Sequence, residues 1–539
     1  MAEPPTRRLK HWGWGYEDQQ PPHHEVVQGA AAIRSHLGFG EGDVERPVGL
    51  DGVSLPEPRI EAPAVLAAVC RTDLYERASH ALGKSYRDVV RGFRGQFDHP
   101  PDVVAHPRDE GEIEAVLDWC EHEGADAIPF GGGTSVVGGV EPPGERPAVS
   151  VDLRALDRVL EVDEVSRAAL IQAGATGPGL EEQLRPHGLT LRHFPQSFEY
   201  STLGGWVATR AGGHFATGPT HIDDLVESIR ALTPRGAWQS RRLPASGAGP
   251  SPDRLLIGSE GILGVITEAW VRVQARPGFR ASAGVGFDTF EAGAEAARAL
   301  GQSGLQPSNC RLLDPGEAAL TGAAGDPPSG RALLLLGFES ADHPLDPWLA
   351  RALECCADHG GVPTGEPSLR RPGGEHQGRG KSEGTWRSAF LQAPYLRDTM
   401  VAAGILSETF ETAIAWDRFP DFVRDVRQAA EAAVAGACGA GRVTCRLTHV
   451  YPDGAAPYFT VLAPARRGAE LEQWREVKEA ASEAIAAAGG TITHHHAVGR
   501  DHRAWYDRQR PAPFAAALRA AKRELDPAGI LNPGVLIDP

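Results

Sequence analysis

Apolar residues recur at two spacings along the chain, and each spacing predicts its own kind of element. Ile113, Val116, Leu117 and Cys120 fall three and four residues apart, on one face of a helix. Asp109, with Glu112 three positions on, reads as the start of that helix, and Gly124 as its end. Short apolar runs bounded by turn residues predict strands at 127–130, 148–153, 159–162 and 168–173, a helix near 179–184, and a longer β-branched strand at 265–273. Further on, 332–338 predicts a strand, and 348–359 and 395–412 predict helices. Strands at 442–451 and 458–463 flank a Pro-Asp-Gly turn. Leu471, Trp474, Val477 and Ala481 share one face of a helix over 471–488. A strand then leads into His494-His495-His496, and a last helix covers 513–525.

The opening stretch is different. Residues 1–60 are rich in Pro, Gly and charge, which predicts an irregular arm with a short helix near 30–37, followed by a helical stretch over 63–82. The fold class that results is α+β in four parts: an N-terminal arm and helical segment (1–97), an α+β domain (98–278), a second α+β domain (279–490) and a C-terminal segment (491–539).

Composition narrows the function. The 539 residues carry a net charge of −17, which argues against a nucleic-acid partner along an extended basic face. No apolar run is long enough for a transmembrane helix. The first residues lack the apolar core of a secretory signal, and Leu-Ile-Asp-Pro at the end is no organelle address. Seven cysteines without metal-type spacing read as reduced thiols of a cytoplasmic protein.

The densest chemical signal is Pro129-Phe130-Gly131-Gly132-Gly133-Thr134-Ser135, continuing to Gly138. Three glycines after a strand let the backbone turn and point successive N–H groups into one concavity that suits a diphosphate. There is no Gly-Lys-Ser/Thr ending and no helix pattern directly behind, so neither the Walker nor the Rossmann template applies. By itself such a run also reads as a tight turn. Two more clusters accompany it: Gln196-Ser197 through Ser201, Thr202, Gly205, Thr209, Arg210, Ala211 and Gly212, and Glu260-Gly261 through Gly264, Val265 and Ile266. Three glycine-punctuated loops in one domain predict a long ligand held by backbone contacts.

Together the three motifs resemble the vanillyl-alcohol-oxidase-type flavoproteins, which bind FAD in a two-part α+β (PCMH-type) domain under an α+β cap. That resemblance implies FAD as cofactor across all the residues just named. The family often ties FAD to a histidine, and the glycine loop has none, so the expected binding is non-covalent. Other segments are similar to the alkyldihydroxyacetonephosphate synthases of ether-lipid synthesis. They include Trp12-Gly13-Trp14-Gly15-Tyr16, Thr233-Pro234-Arg235-Gly236, Tyr395-Leu396-Arg397-Asp398, Trp416-Asp417-Arg418 and the triple histidine.

Carried over, the resemblance implies Tyr458 as catalytic acid/base, Arg397 on the substrate phosphate, Arg311 shaping the site, His494, His495 and His496 lining the pocket, and His193 near the isoalloxazine. The implied reaction replaces the acyl group of acyl-dihydroxyacetone phosphate by a fatty alcohol without net redox change. Its residue types suit it. Proton removal beside a ketone calls for a positioned base. A phenol ionises only near pH 10 in water, so such a base needs cations beside it. A guanidinium fork matches a phosphate.

On a strand the histidines would alternate, with His494 and His496 on one side and His495 on the other. Histidine tracts also bind metals; no metal is assigned to this one. His214 stands where relatives tend to carry lysine. Ile530-Leu531-Asn532-Pro533-Gly534 resembles the flavin-dependent 2-hydroxyacid dehydrogenases, which keeps an FAD-dependent oxidoreductase acting on a D-2-hydroxy acid as the alternative. The expected partners are a small-molecule or lipid substrate, peripheral membrane contact and a second copy of the chain in a homodimer.

Overall fold

The computed structural model describes residues 7–40, 42–323, 330–373 and 395–538. Strands Val103–Ala105, Ala148–Asp152 and Asp126–Phe130 pair in parallel, with Cys70–Arg71 antiparallel at one edge. Their residues are buried almost throughout, so they read in the sequence as continuous apolar runs rather than as alternation. Helix Glu110–Glu123 packs Ile113, Val116, Leu117 and Cys120 into the core of this sheet. It starts where Asp109 accepts the Glu112 N–H at 3.0 Å and stops at left-handed Gly124. A second sheet of five antiparallel strands runs in the order Val159–Asp163, Ala168–Gln172, Val265–Arg272, Val226–Thr233, Gly236–Gln239.

The latter part of the chain builds a larger antiparallel sheet. Its central path is Phe279–Phe287, Ala332–Ser340, Asn309–Leu313, Arg442–Val450, Gly454–Pro464 and Ile405–Glu411. Helices Phe290–Gln302, Asp346–Ala357, Phe419–Cys438 and Glu470–Ala487 contribute to the apolar core on it. The period-2 alternation of the strands splits the sheet into two faces. Cys445, Leu447, Phe459 and Val461 join the apolar core, whereas Arg446, Thr448, Tyr458 and Thr460 line a cavity.

The two ends of the chain are tied to this body. Trp12 and Trp14 are buried, Trp12 edge-on to Phe93. Lys10 Nζ lies 2.5 Å from Asp398 Oδ2, and the Trp14 N–H donates to the same carboxylate. At the other end Leu531 bridges Ala127 in parallel, so the C-terminal segment extends the parallel sheet.

Several elements differ from expectation. The helix predicted over 30–37 begins at His23, directly behind Pro22. The helical stretch over 63–82 is a 3-10 turn (Ala64–Leu66), a short strand (Cys70–Arg71) and a helix (Leu74–Ser79), because Asp73 caps a new start. The helix over 395–412 covers only 395–402; Gly404 takes φ +72° and the chain turns into strand Ile405–Glu411. That strand zips onto Gly454–Pro464 through seven residue pairs, and this long-range pairing outweighs the local helical spacing. No strand precedes the histidines. The 20-residue helix Phe419–Cys438 was not anticipated. Among the described residues no helix is long and apolar enough to cross a membrane.

The buried pair at Asp398 gives a direct test of how the N-terminal segment is held. Asp398→Ala leaves Lys10 charged, enclosed and unpaired, and the expected loss in urea unfolding is about 3 kcal/mol or more. A loss under ~1 kcal/mol would show that this anchor does not matter.

Candidate active site

The three glycine segments meet in space. A Cβ on Gly131 would overlap Thr202 Oγ1, and one on Gly132 would overlap the Tyr200 carbonyl oxygen. The first and second segments therefore lie main chain against main chain, which only glycine permits there. A Cβ on Gly261 would stand 3.0 Å from Pro129 Cγ, so the third segment closes on the first. These segments wall one cavity of about 760 Å³. Of the residues singled out from sequence, Pro129, Phe130, Gly131, Gly132, Gly133, Thr134 and Ser135 line it. So do Gln196, Ser197, Ser201, Thr202, Gly205, Thr209, Ala211, Gly212, Glu260, Gly261, Gly264 and Ile266.

Four of the residues expected to hold the cofactor lie elsewhere. Gly138 is packed under Arg87. Val265 is buried at the start of its strand. Arg210 is the left-handed cap of helix Leu203–Thr209, and its guanidinium turns away to Asp223. His193 is enclosed against Trp206, ring centroids 5.2 Å apart, and it is Trp206 that faces the cavity. Burial pushes the His193 imidazole down to about 3, so it is neutral.

The C-terminal segment braces this floor. Glu260, at φ +50°, accepts the Val498 and Gly499 N–H groups at 2.9 and 2.8 Å. Burial pushes its carboxyl up to about 7, with those two bonds opposing. Asn532 Nδ2 donates to the carbonyls of Gly139 and Glu260 at 3.1 and 2.7 Å. Neither role was read from the sequence; Asn532 lay in a motif noted only for its resemblance.

The polar face of the large sheet forms the opposite wall. Tyr458 is 4% exposed, yet its hydroxyl meets no hydrogen-bond partner among the described residues. The Arg446 guanidinium lies over its ring, 3.8 Å from the centroid, and is itself held by Glu317. Arg446 was missed from sequence, because a single arginine in an apolar strand carries no signature. Arg397 lines the cavity, donates Nη1 to the Lys84 carbonyl at 3.0 Å and has no ion pair among the described residues. Arg311 also lines it and donates to Asn309 and to the His214 carbonyl.

The histidines correct the alternation argument. His494, His495 and His496 each donate a backbone N–H to the carboxylate of Glu411, at 2.7, 3.1 and 2.9 Å. Three successive amides can converge on one anion only if the chain curls, so the strand geometry is lost. His495 and His496 both face the cavity beside Tyr458, with ring centroids 6.2 and 5.6 Å from it. His494 turns away instead, its Nε2 2.8 Å from the Tyr451 hydroxyl. Burial works against an ionised Glu411, yet the facing His495 and His496 and the hydrogen bonds it accepts hold its carboxyl well below the usual range. Burial pushes the imidazoles of His449 and His494 well down, aided by neighbouring histidines. The ring nitrogens of His449, His494 and His495 approach within 4.8 Å of one another, the one group among the described residues with the spacing of metal ligands.

A fold of this kind, with such a cavity between its two halves, defines a flavoprotein. Residues 101–240 match the family model "FAD binding domain" and residues 276–536 the model "FAD linked oxidases, C-terminal domain". The chain is 30% identical to alkyldihydroxyacetonephosphate synthase of Dictyostelium discoideum, over 87% of this chain and 78% of that one. It is 30% identical to the Caenorhabditis elegans enzyme of the same name, over 98% and 95%. A solved alkyldihydroxyacetonephosphate synthase superposes with a TM-score of 0.79 at 27% identity, covering 97% of this chain and 98% of the other. The chain belongs to the alkyldihydroxyacetonephosphate synthase family, and its cofactor is FAD.

Two tests follow from this geometry. Gly132→Ala drives a methyl into the Tyr200 carbonyl and separates the first two segments; the purified protein is expected to lose most of its flavin absorbance while far-UV circular dichroism is retained. Full flavin content in this variant would remove the close approach from the argument. The second concerns Glu260, whose carboxyl sits at about 7 in the fold against an ordinary 4.5. Between those values the folded chain holds a proton that the unfolded chain releases, so this group's contribution to stability falls as pH rises through that window. Glu260→Gln has no such dependence. Melting temperatures of the two proteins, compared from pH 4.5 to 7.5, should show the wild type losing ground steadily.

Proposed function

We propose that this chain is an FAD-dependent transferase of ether-lipid synthesis, replacing the acyl group of acyl-dihydroxyacetone phosphate by a fatty alcohol. One observation carries the reading. The cavity does not end at Tyr458 but continues between Ile33, Leu37, Leu320, Met400 and Leu462, side chains that form an apolar cluster of their own. A small polar pocket would suit a hydroxy acid; a long apolar arm behind a reactive tyrosine suits an alkyl chain. A substrate so apolar calls for peripheral contact with a lipid surface.

In this reading the three glycine segments hold FAD by main-chain amides and the hydroxyls of Thr134, Ser135 and Thr202. Bound there, FAD supplies nucleophilic ring chemistry that lets one chain replace another without net redox change. Arg397, which pairs with no carboxylate among the described residues, takes the substrate phosphate. Tyr458, under Arg446, removes the proton beside the ketone and returns it later. His495 and His496 stand where they can relay protons for that tyrosine, and Arg311 fixes the wall between Asn309 and His214.

The test is exchange of labelled hexadecanol into acyl-dihydroxyacetone phosphate by flavin-loaded protein. Tyr458→Phe is expected to slow exchange about 100-fold or more at unchanged flavin content. Absence of exchange in the wild type, together with bleaching of its flavin by a D-2-hydroxy acid under anaerobic conditions, would assign the site to the oxidoreductase alternative.

A further inference from the structure

Glu411 belongs to none of the sequence motifs and does not line the cavity, yet much of the reactive wall is organised around it. It ends strand Ile405–Glu411 and is the cross-strand partner of Tyr458 in the antiparallel register. Partners in such a register send their side chains to the same face of the sheet. Its carboxylate is 1% exposed and accepts the Thr493 hydroxyl as well as the N–H groups of His494, His495 and His496. The ring nitrogens of His495 and His496 come within 3.3 and 3.8 Å of its two oxygens. A buried carboxylate with this many donors is fixed in position and stays ionised.

We propose that Glu411 is the positioning residue of the active site, curling the triple-histidine loop around its carboxylate so that His495 and His496 stand together beside Tyr458. This rests on the transferase reading for its activity assay, but not for its structural one. Without the carboxylate, the three amides lose their common acceptor and the loop reverts to an extended course. Adjacent histidines then alternate in direction, and only one of the two remains beside the tyrosine. The carboxylate of Glu411 also lies directly against the two imidazoles. The other titratable or charged groups around it are His494, Tyr458 and Tyr451, with Lys478 and His502 beyond His496 and Arg446 beyond Tyr458.

The experiment compares Glu411→Gln with Glu408→Gln in the flavin-loaded full chain. Glu408 is a buried carboxylate on the same strand that pairs with Lys478 and Trp474 and does not line the cavity, so it controls for the general cost of neutralising a buried charge. For Glu411→Gln, kcat of exchange is expected to fall about 100-fold, the scale of a small misplacement of reacting groups. KM should stay within about threefold. Glu408→Gln should lower the melting temperature but leave kcat of exchange unchanged.

An independent readout is ¹⁵N NMR of the histidine rings, with His495 and His496 assigned from His495→Gln and His496→Gln. Both resonances are expected to shift in Glu411→Gln and neither in Glu408→Gln. The proposal is overturned if Glu411→Gln leaves both resonances in place, or if the two glutamine variants behave alike in every readout. If the wild type catalyses no exchange, the transferase reading fails, while the NMR comparison still decides the role of Glu411.

Discussion

The site depends first on a close approach that no side chain could share. Gly131 and Gly132 leave strand Asp126–Phe130 and run directly against Tyr200, Ser201 and Thr202. With the two backbones in contact, helix Leu203–Thr209 must begin at the cavity, capped by Thr202. The loop itself leaves from the carboxyl end of a parallel strand, where α/β sheets commonly open to ligands. Gly261 then packs on Pro129 and closes the third side. Remove the approach and the three segments still fold, but they no longer bound one space. The cavity is in this sense a consequence of absent Cβ atoms more than of any charged or polar group.

The opposite wall follows from another elementary constraint, the alternation of side chains along a strand. The same strands that bury Phe459, Val461, Cys445 and Leu447 must turn Tyr458, Thr460 and Arg446 the other way. Polar groups on that inner face need partners, and they find them along a chain: Glu317 holds Arg446, and Arg446 lies on Tyr458. A buried ion pair contributes little net stability, since desolvation offsets the attraction. What the Glu317–Arg446 pair does here is place a fixed positive charge against a tyrosine whose hydroxyl faces the cavity.

This division explains which parts were legible in the chain. The glycine clusters were, because their chemistry is local: a strand, a run without side chains, a hydroxyl or two. Helix Glu110–Glu123 was, because cap, face and stop lie within 16 residues of each other. The course of the histidines was not. Read alone, Thr493–His496 looks extended; the anion that curls it belongs to a strand some eighty residues earlier. That strand was itself misread as helix, since its pairing with Gly454–Pro464 is invisible to local periodicity. His193 was assigned to the cavity by resemblance, and Trp206, one helix later, occupies the wall instead. In each case a contact distant in sequence overrode a local pattern.

The two walls are not independent bodies, because one short segment belongs to both. Its head, His494–His496, is gripped by Glu411 from the large sheet. Its tail, Val498 and Gly499, donates to Glu260 in the third glycine segment. Only Ala497 therefore separates the donors to the carboxylate that orients the histidines from the donors to the one that braces the cavity floor. Asn532 ties the same floor to the end of the chain, where Leu531 makes a parallel bridge to Ala127. A displacement of either wall must pull on residues 494–499, and the cost is the loss of amide bonds to a buried carboxylate, stronger than ordinary backbone bonds. Tyr458 and the glycine-lined floor are thus held in register in part by main-chain donors to two buried carboxyl groups, beside side-chain ties such as that of Arg311 to the His214 carbonyl.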